Sequence, residues 1–152
     1  METGDKMIKF GVMGAGKIAH RFCQAMNGIN ETLYAIASRD LERAARFVTN
    51  YGFAKAYGTY EELLADPEVR CVYVATPHGL HYEHVKLCLD AGKNVLCEKS
   101  FTLNHHEAQE LFDLARAKGL SHKRIIGVHI LKNIMIHIVT EVGLEFGSLV
   151  AF

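Results

Sequence analysis

Four short stretches of the chain carry residue types whose spacing can do chemistry. The first, Gly14-Ala15-Gly16-Lys17-Ile18-Ala19, follows the apolar run Met7–Met13 and reads as G-x-G-x-x-A. In a strand-to-helix turn of this kind the first glycine permits the tight bend and the second lets backbone approach a pyrophosphate. The alanine lets helix and strand pack closely. A helix starting at Lys17 would aim its first N–H groups at the phosphates. Glycines also mark ordinary strand–helix turns, so the weight comes from context: a first strand precedes the turn and a second follows about twenty residues on.

The end of that second strand bears on which dinucleotide is meant. An NAD-preferring site usually places a carboxylate there for the ribose 2′-OH. This chain has Ser38-Arg39, with Asp40 one step beyond. Arg39 can pair with a 2′-phosphate or stack on adenine, and Ser38 can hydrogen-bond either. NADP is therefore favoured over NAD. The alternative is that Ser38 or Asp40 merely caps the next helix and Arg39 is a solvated surface charge.

The third stretch, Ala75-Thr76-Pro77-His78-Gly79-Leu80-His81, leaves the fourth strand at its carboxyl end, where open α/β sheets bind ligands. His78, His81 and His84 lie three apart and raise the question of a metal. His78 precedes the helix, however, no carboxylate or cysteine completes a set, and Glu83 falls elsewhere on the helical wheel, so no metal is expected. A His78 or His81 facing the ribose or the substrate is expected instead, against a helix-cap or solvent role. The fourth stretch is Val95-Leu-Cys-Glu98-Lys99-Ser100, at the end of the fifth strand. A lysine here would sit beside the nicotinamide, where partial burial and a cationic ring lower its pKa and let it orient or protonate a substrate oxygen. A surface Glu–Lys pair explains the same spacing equally well.

These stretches need elements to hold them. Strands are expected over Met7–Met13, Thr32–Ser38, Ala54–Tyr57, Cys71–Thr76, Lys93–Cys97 and Arg124–Ile130. Helices are expected over Lys17–Asn27, from Leu41 through Val48, Thr59–Leu64, His81–Ala91 and Asn104–Lys118. Strict alternation of helices with buried-looking strands predicts an α/β fold, a Rossmann-like doubly wound parallel sheet.

Composition sets the outer limits. With 17 Lys+Arg against 17 Asp+Glu in 152 residues, no basic excess exists to neutralise nucleic acid or an anionic membrane. At 49% hydrophobic and 22% charged residues the chain reads as globular. It shows no secretory signal and no apolar run of about 18 residues. Cys23, Cys71, Cys88 and Cys97 have no metal-ligand spacing and read as free thiols in a reducing cytoplasm.

Gly14-x-Gly16-x-x-Ala19, Ser38-Arg39-Asp40, Tyr57-Gly-Thr-Tyr60-Glu-Glu-Leu63, Val74-Ala-Thr-Pro77-x-x-x-His81 and Gly92-Lys-Asn-Val-Leu-Cys-Glu98-Lys99 occur in this order. In that order they resemble the Gfo/Idh/MocA oxidoreductases, especially the dihydrodiol and sugar dehydrogenase branch. The resemblance covers roughly Met7 to Leu120 and implies an NAD(P)-binding domain over 7–120, with a sixth strand and an atypical tail over 121–152. It implies hydride transfer between nicotinamide and a polyol, sugar or diol. Gly14, Ala15, Gly16, Lys17 and Ile18 would hold the pyrophosphate, and Ser38 and Arg39 the adenosine ribose. Thr76, Pro77, His78 and Glu98 would lie along the nicotinamide ribose, with Lys99 at the substrate oxygen.

Two departures stand out. The family motif is Glu-Lys-Pro, whereas position 100 is Ser, so Lys99 is expected to be aimed differently or held less rigidly than in relatives. The family's second α/β domain, which supplies substrate contacts and the oligomer interface, is not recognisable after Leu120. The chain therefore reads as truncated or frame-shifted, or alternatively as a non-catalytic dinucleotide-binding module. Apolar surface left without that domain would favour self-association into a homo-oligomer.

Overall fold

Among the described residues, the expected apolar runs form strands and the expected periodic stretches form helices. The computed structural model describes residues 8–27 and 32–119. In chain order these are β1 (Lys9–Met13), α1 (Lys17–Asn27), β2 (Thr32–Ala37), α2 (Leu41–Tyr51), β3 (Lys55–Tyr57), α3 (Tyr60–Ala65), β4 (Cys71–Val74), α4 (His81–Asp90), β5 (Asn94–Cys97) and α5 (His105–Ala117). A single 3-10 turn, His78–Leu80, leads into α4. The strands form one sheet in the order β3-β2-β1-β4-β5, and every pairing is parallel. This is the expected doubly wound arrangement. The expected sixth strand, Arg124–Ile130, lies outside the described residues.

The chain divides into two compact units, Met1–Leu114 and Ala115–Phe152. The sheet and every residue of the candidate site belong to the first. Of the second, the described part is the end of α5 and Gly119, whose N–H donates to the Arg116 carbonyl at 2.9 Å.

Local sequence explains the helix boundaries. Asp40 caps α2, its side chain accepting from Arg43 N–H, and Gly52 closes that helix in the left-handed region. Thr59 and Glu62 form a reciprocal capping box at α3. Asn104 Oδ1 accepts from Glu107 N–H at the start of α5.

Aromatic side chains carry much of the packing between α1, α2 and the sheet. Phe22 stacks on Tyr73 of β4 with ring centroids 3.8 Å apart, and His20 stacks on Phe47 at 4.1 Å. Elsewhere Gly11 leaves room for helix packing, since a Cβ there would lie 2.8 Å from Val69 Cγ1 and 3.1 Å from Leu63 Cδ1. Near the amino ends of the strands, Asp66 ties three segments together. Its Oδ2 accepts from Lys55 Nζ at 2.8 Å and Tyr57 Oη at 2.7 Å, while its carbonyl accepts from Lys93 Nζ at 2.7 Å.

Candidate functional site

The parallel register lines up the strand ends. Met13 pairs with both Ala37 and Val74, Ala37 with Tyr57, and Val74 with Cys97, which makes one row across all five strands. Each candidate motif starts one residue past that row, at Gly14, Ser38, Ala75 and Glu98. The ladder continues one step into them: Gly14 N–H donates to Ala37 O at 2.9 Å, Ala75 N–H to Met13 O at 2.9 Å, and Glu98 N–H to Val74 O at 3.2 Å. The chain leaves β1 towards β2 on one side, while β4 enters on the other. That reversal of strand order opens a crevice at the carboxyl edge.

Gly14 adopts φ 101°, and a Cβ there would lie 3.1 Å from the Ala75 carbonyl oxygen. Only glycine satisfies both the backbone angle and the close approach. Gly16 differs, because among the described residues, its two chain neighbours aside, nothing comes within 4 Å of a Cβ built on it. The space above its backbone is open, as a pyrophosphate cradle needs. Ala15 is buried, Lys17 is exposed and Ile18 is half-buried against the core. The first turn of α1 carries no acidic residue, so the positive end of its dipole is left for an anion.

At the end of β2, Ser38 is buried and its Oγ accepts from Asp40 N–H at 3.2 Å. Asp40, the nearest carboxylate, is committed to capping α2. Arg39 is exposed, makes no ion pair among the described residues, and lies near Tyr60. The carboxyl end of β2 thus presents a hydroxyl and an exposed guanidinium, with Asp40 engaged as a helix cap.

Beyond β4, Thr76 is buried with its Oγ1 2.8 Å from His84 Nδ1. Burial foremost holds the His84 imidazole below its ordinary pKa, which favours the neutral ring. Pro77 and His78 are exposed at the edge. His81 departs from expectation. It is fully buried, its Nδ1 lies 2.7 Å from Ser100 O, and its Nε2 lies 2.8 Å from Thr76 O. It therefore faces backbone, not ribose or substrate, and among the described residues no cluster of three or more His, Cys, Asp or Glu could hold a metal ion.

Beyond β5, Glu98 is half-buried and accepts two hydrogen bonds, from Tyr73 Oη and from the Lys99 backbone N–H. Burial, then the bond to Glu98, raises the Tyr73 phenol well above its ordinary pKa, so Tyr73 remains a donor. Lys99 is exposed rather than partly buried as expected, and no ion pair joins it to Glu98 among the described residues. The Lys99–Ser100 peptide is cis. Tyr73 was not singled out in the sequence. The signal was present, since a tyrosine buried in a strand needs a partner for its hydroxyl.

Comparison with known proteins agrees with this geometry. A model of the oxidoreductase family with an NAD-binding Rossmann fold, GFO_IDH_MocA, matches residues 8–123. The chain belongs to this family, of which the matched residues are the NAD(P)-binding domain. It is 43% identical over 111 residues to the trans-1,2-dihydrobenzene-1,2-diol dehydrogenase of Xenopus tropicalis, covering 71% of this chain and 34% of that protein. It is 42% identical over 126 residues to the D-xylose 1-dehydrogenase (NADP(+)) of Hypocrea jecorina, covering 74% and 32%. Among solved structures it resembles KijD10, a 3-ketoreductase from Actinomadura kijaniata in complex with TDP-benzene and NADP. There the TM-score is 0.72 at 38% identity, over 76% of this chain and 37% of that one. The chain thus spans about a third of the length of these relatives. A second family model, the binding-protein-dependent transport system inner membrane component, matches residues 107–152. No helix among the described residues is long and apolar enough to cross a membrane.

Proposed function

We propose that residues 7–120 bind NADP(H) in preference to NAD(H) and serve an oxidoreductase acting on a sugar- or diol-like CH–OH group. The carrying observation is that all four motifs emerge from one row of strand ends, with open space above Gly16 and an exposed Arg39 that makes no ion pair among the described residues. In this reading Gly14, Ala15, Gly16, Lys17 and Ile18 hold the pyrophosphate through backbone N–H groups. Ser38 and Arg39 take the ribose and its 2′-phosphate. Thr76, Pro77, His78 and Glu98 line the nicotinamide ribose, with the Glu98 carboxylate held in place by Tyr73. When bound, the nicotinamide supplies the carbon that accepts or donates hydride. Lys99 donates a hydrogen bond to the substrate oxygen and passes it a proton in the reducing direction. The substrate class is supported by the diol and xylose dehydrogenases among the relatives. A cytoplasmic setting is supported by four free thiols.

Fluorescence titration tests the reading. NADPH should bind more tightly than NADH. Arg39→Ala should cost NADPH about 10- to 100-fold, the worth of charge-assisted hydrogen bonds, and NADH only a few-fold. Equal losses would refute the 2′-phosphate role, and no binding of either nucleotide at millimolar concentration would overturn the site. Turnover on a panel of sugars and diols should fall about 10²- to 10⁴-fold in Lys99→Ala with NADPH affinity little changed.

A further inference from the structure

His81 is fully buried at the base of the loops that bear Thr76 and Lys99, and both of its ring nitrogens face carbonyl oxygens, Ser100 O at 2.7 Å and Thr76 O at 2.8 Å. A carbonyl oxygen only accepts, so each contact is a hydrogen bond only if that nitrogen carries hydrogen. A neutral imidazole has one N–H. Its other nitrogen would turn a lone pair towards a carbonyl lone pair at 2.7–2.8 Å, a separation that leaves no room for a third group between them. We propose that His81 is a positioning residue, held as a doubly protonated imidazolium. It clasps the Thr76 and Ser100 carbonyls and thereby sets Thr76 against the nicotinamide ribose, with the Lys99 loop beside it. The part concerning the cofactor rests on the function proposed above.

The placement fits the role. Thr76 opens the segment leaving β4, and Ser100 directly follows Lys99 in the segment leaving β5. Beyond the ladder bond from Glu98 N–H to Val74 O at 3.2 Å, this ring contacts both segments. Two charge-assisted bonds compensate for burying a cation where a single neutral one would not. The titratable side chains around the ring are His78, edge-on at 5.4 Å, and His84, one turn along α4. Glu98 and Lys99 precede Ser100 in the loop. His84 is favoured as the neutral ring, by burial first and with a contribution from His81, so it adds little repulsion.

NMR of the full chain labelled with ¹⁵N-histidine tests the clasp directly. The His81 ring should show two protonated nitrogens whose hydrogens exchange slowly with solvent, and a ring with one bare nitrogen would overturn the proposal. Binding then tests the positioning. His81→Phe keeps the ring and removes both donors. It should weaken NADPH about tenfold, as loss of one net hydrogen bond to a charged group does, while 2′,5′-ADP, which lacks the nicotinamide, binds as to wild type. Equal weakening of both ligands, or of neither, would refute a positioning role. Wild type that binds neither ligand would defeat the cofactor reading alone, and the ring signals would still decide the clasp, as they also would if the variant fails to fold.

Discussion

Gly14 and Tyr73 show how narrowly single residues set this site. Any side chain at position 14 meets both a positive φ of 101° and a carbonyl oxygen 3.1 Å from its Cβ. Gly14→Ala should therefore destabilise the domain by about 1–3 kcal/mol in denaturant unfolding and abolish dinucleotide binding, because relief of the clash moves the turn. Gly16→Ala meets no such protein contact. It should leave stability nearly unchanged yet weaken NADPH, and this pair of variants separates folding from ligand space. Tyr73→Phe removes the donor to Glu98 while keeping the ring stacked on Phe22. The expected cost is about 1–2 kcal/mol of stability, with weaker NADPH binding and unchanged 2′,5′-ADP binding.

At the level of elements, the Asp66 staple joins both ends of β3, the end of α3 and the approach to β5. Burial alone would raise the Asp66 carboxyl pKa. Hydrogen bonds from Lys55, Tyr57 and the Glu68 backbone outweigh it and pull the value down to about 2 from 3.8. Because the folded value lies below the unfolded one, the ionised carboxylate stabilises fully above pH 3.8, and that contribution is lost as pH falls towards about 2. Lys55 is 45% exposed, so solvent screening keeps the effect on the order of 1 kcal/mol. Asp66→Asn should flatten that acid limb of the stability profile without changing cofactor affinity. Thr59→Ala, which removes one half of the α3 capping box, should cost about 1 kcal/mol by the same unfolding measurement.

For the whole molecule, pH sensitivity follows from which groups are buried neutral and which are buried ionised. His84 has its folded pKa below 6.5, mainly through burial. Its contribution is present above the unfolded value of 6.5 and is lost as pH falls below it. Together with Asp66 this predicts two separate acid-sensitive components in thermal melts, read as differences from wild type: the upper one is lost in His84→Gln and the lower one in Asp66→Asn. Overall charge is balanced at 17 Lys+Arg and 17 Asp+Glu, so the anion expected to matter is one met locally by Arg39 and backbone N–H groups.

Much of this was legible in the residues. The glycine turn, the capped helices and the alternation that forces parallel strands are local features, each readable within about ten residues. They located Gly14, Arg39, Thr76 and Lys99 correctly at the ends of strands. The 3-10 turn at His78–Leu80 and the burial of His81 between two carbonyls were not legible, and neither was the partnership of Tyr73 with Glu98. His81 meets Ser100 across 19 residues, and Tyr73 meets Glu98 across 25. Periodicity reports which face of an element is buried, whereas the partner of a buried polar group depends on which strands lie side by side. That order, β3-β2-β1-β4-β5, exists only once the chain has folded. The residue types and their spacing thus pointed to a dinucleotide-binding domain, and the parallel register decided which side chains meet at the carboxyl edge of the sheet.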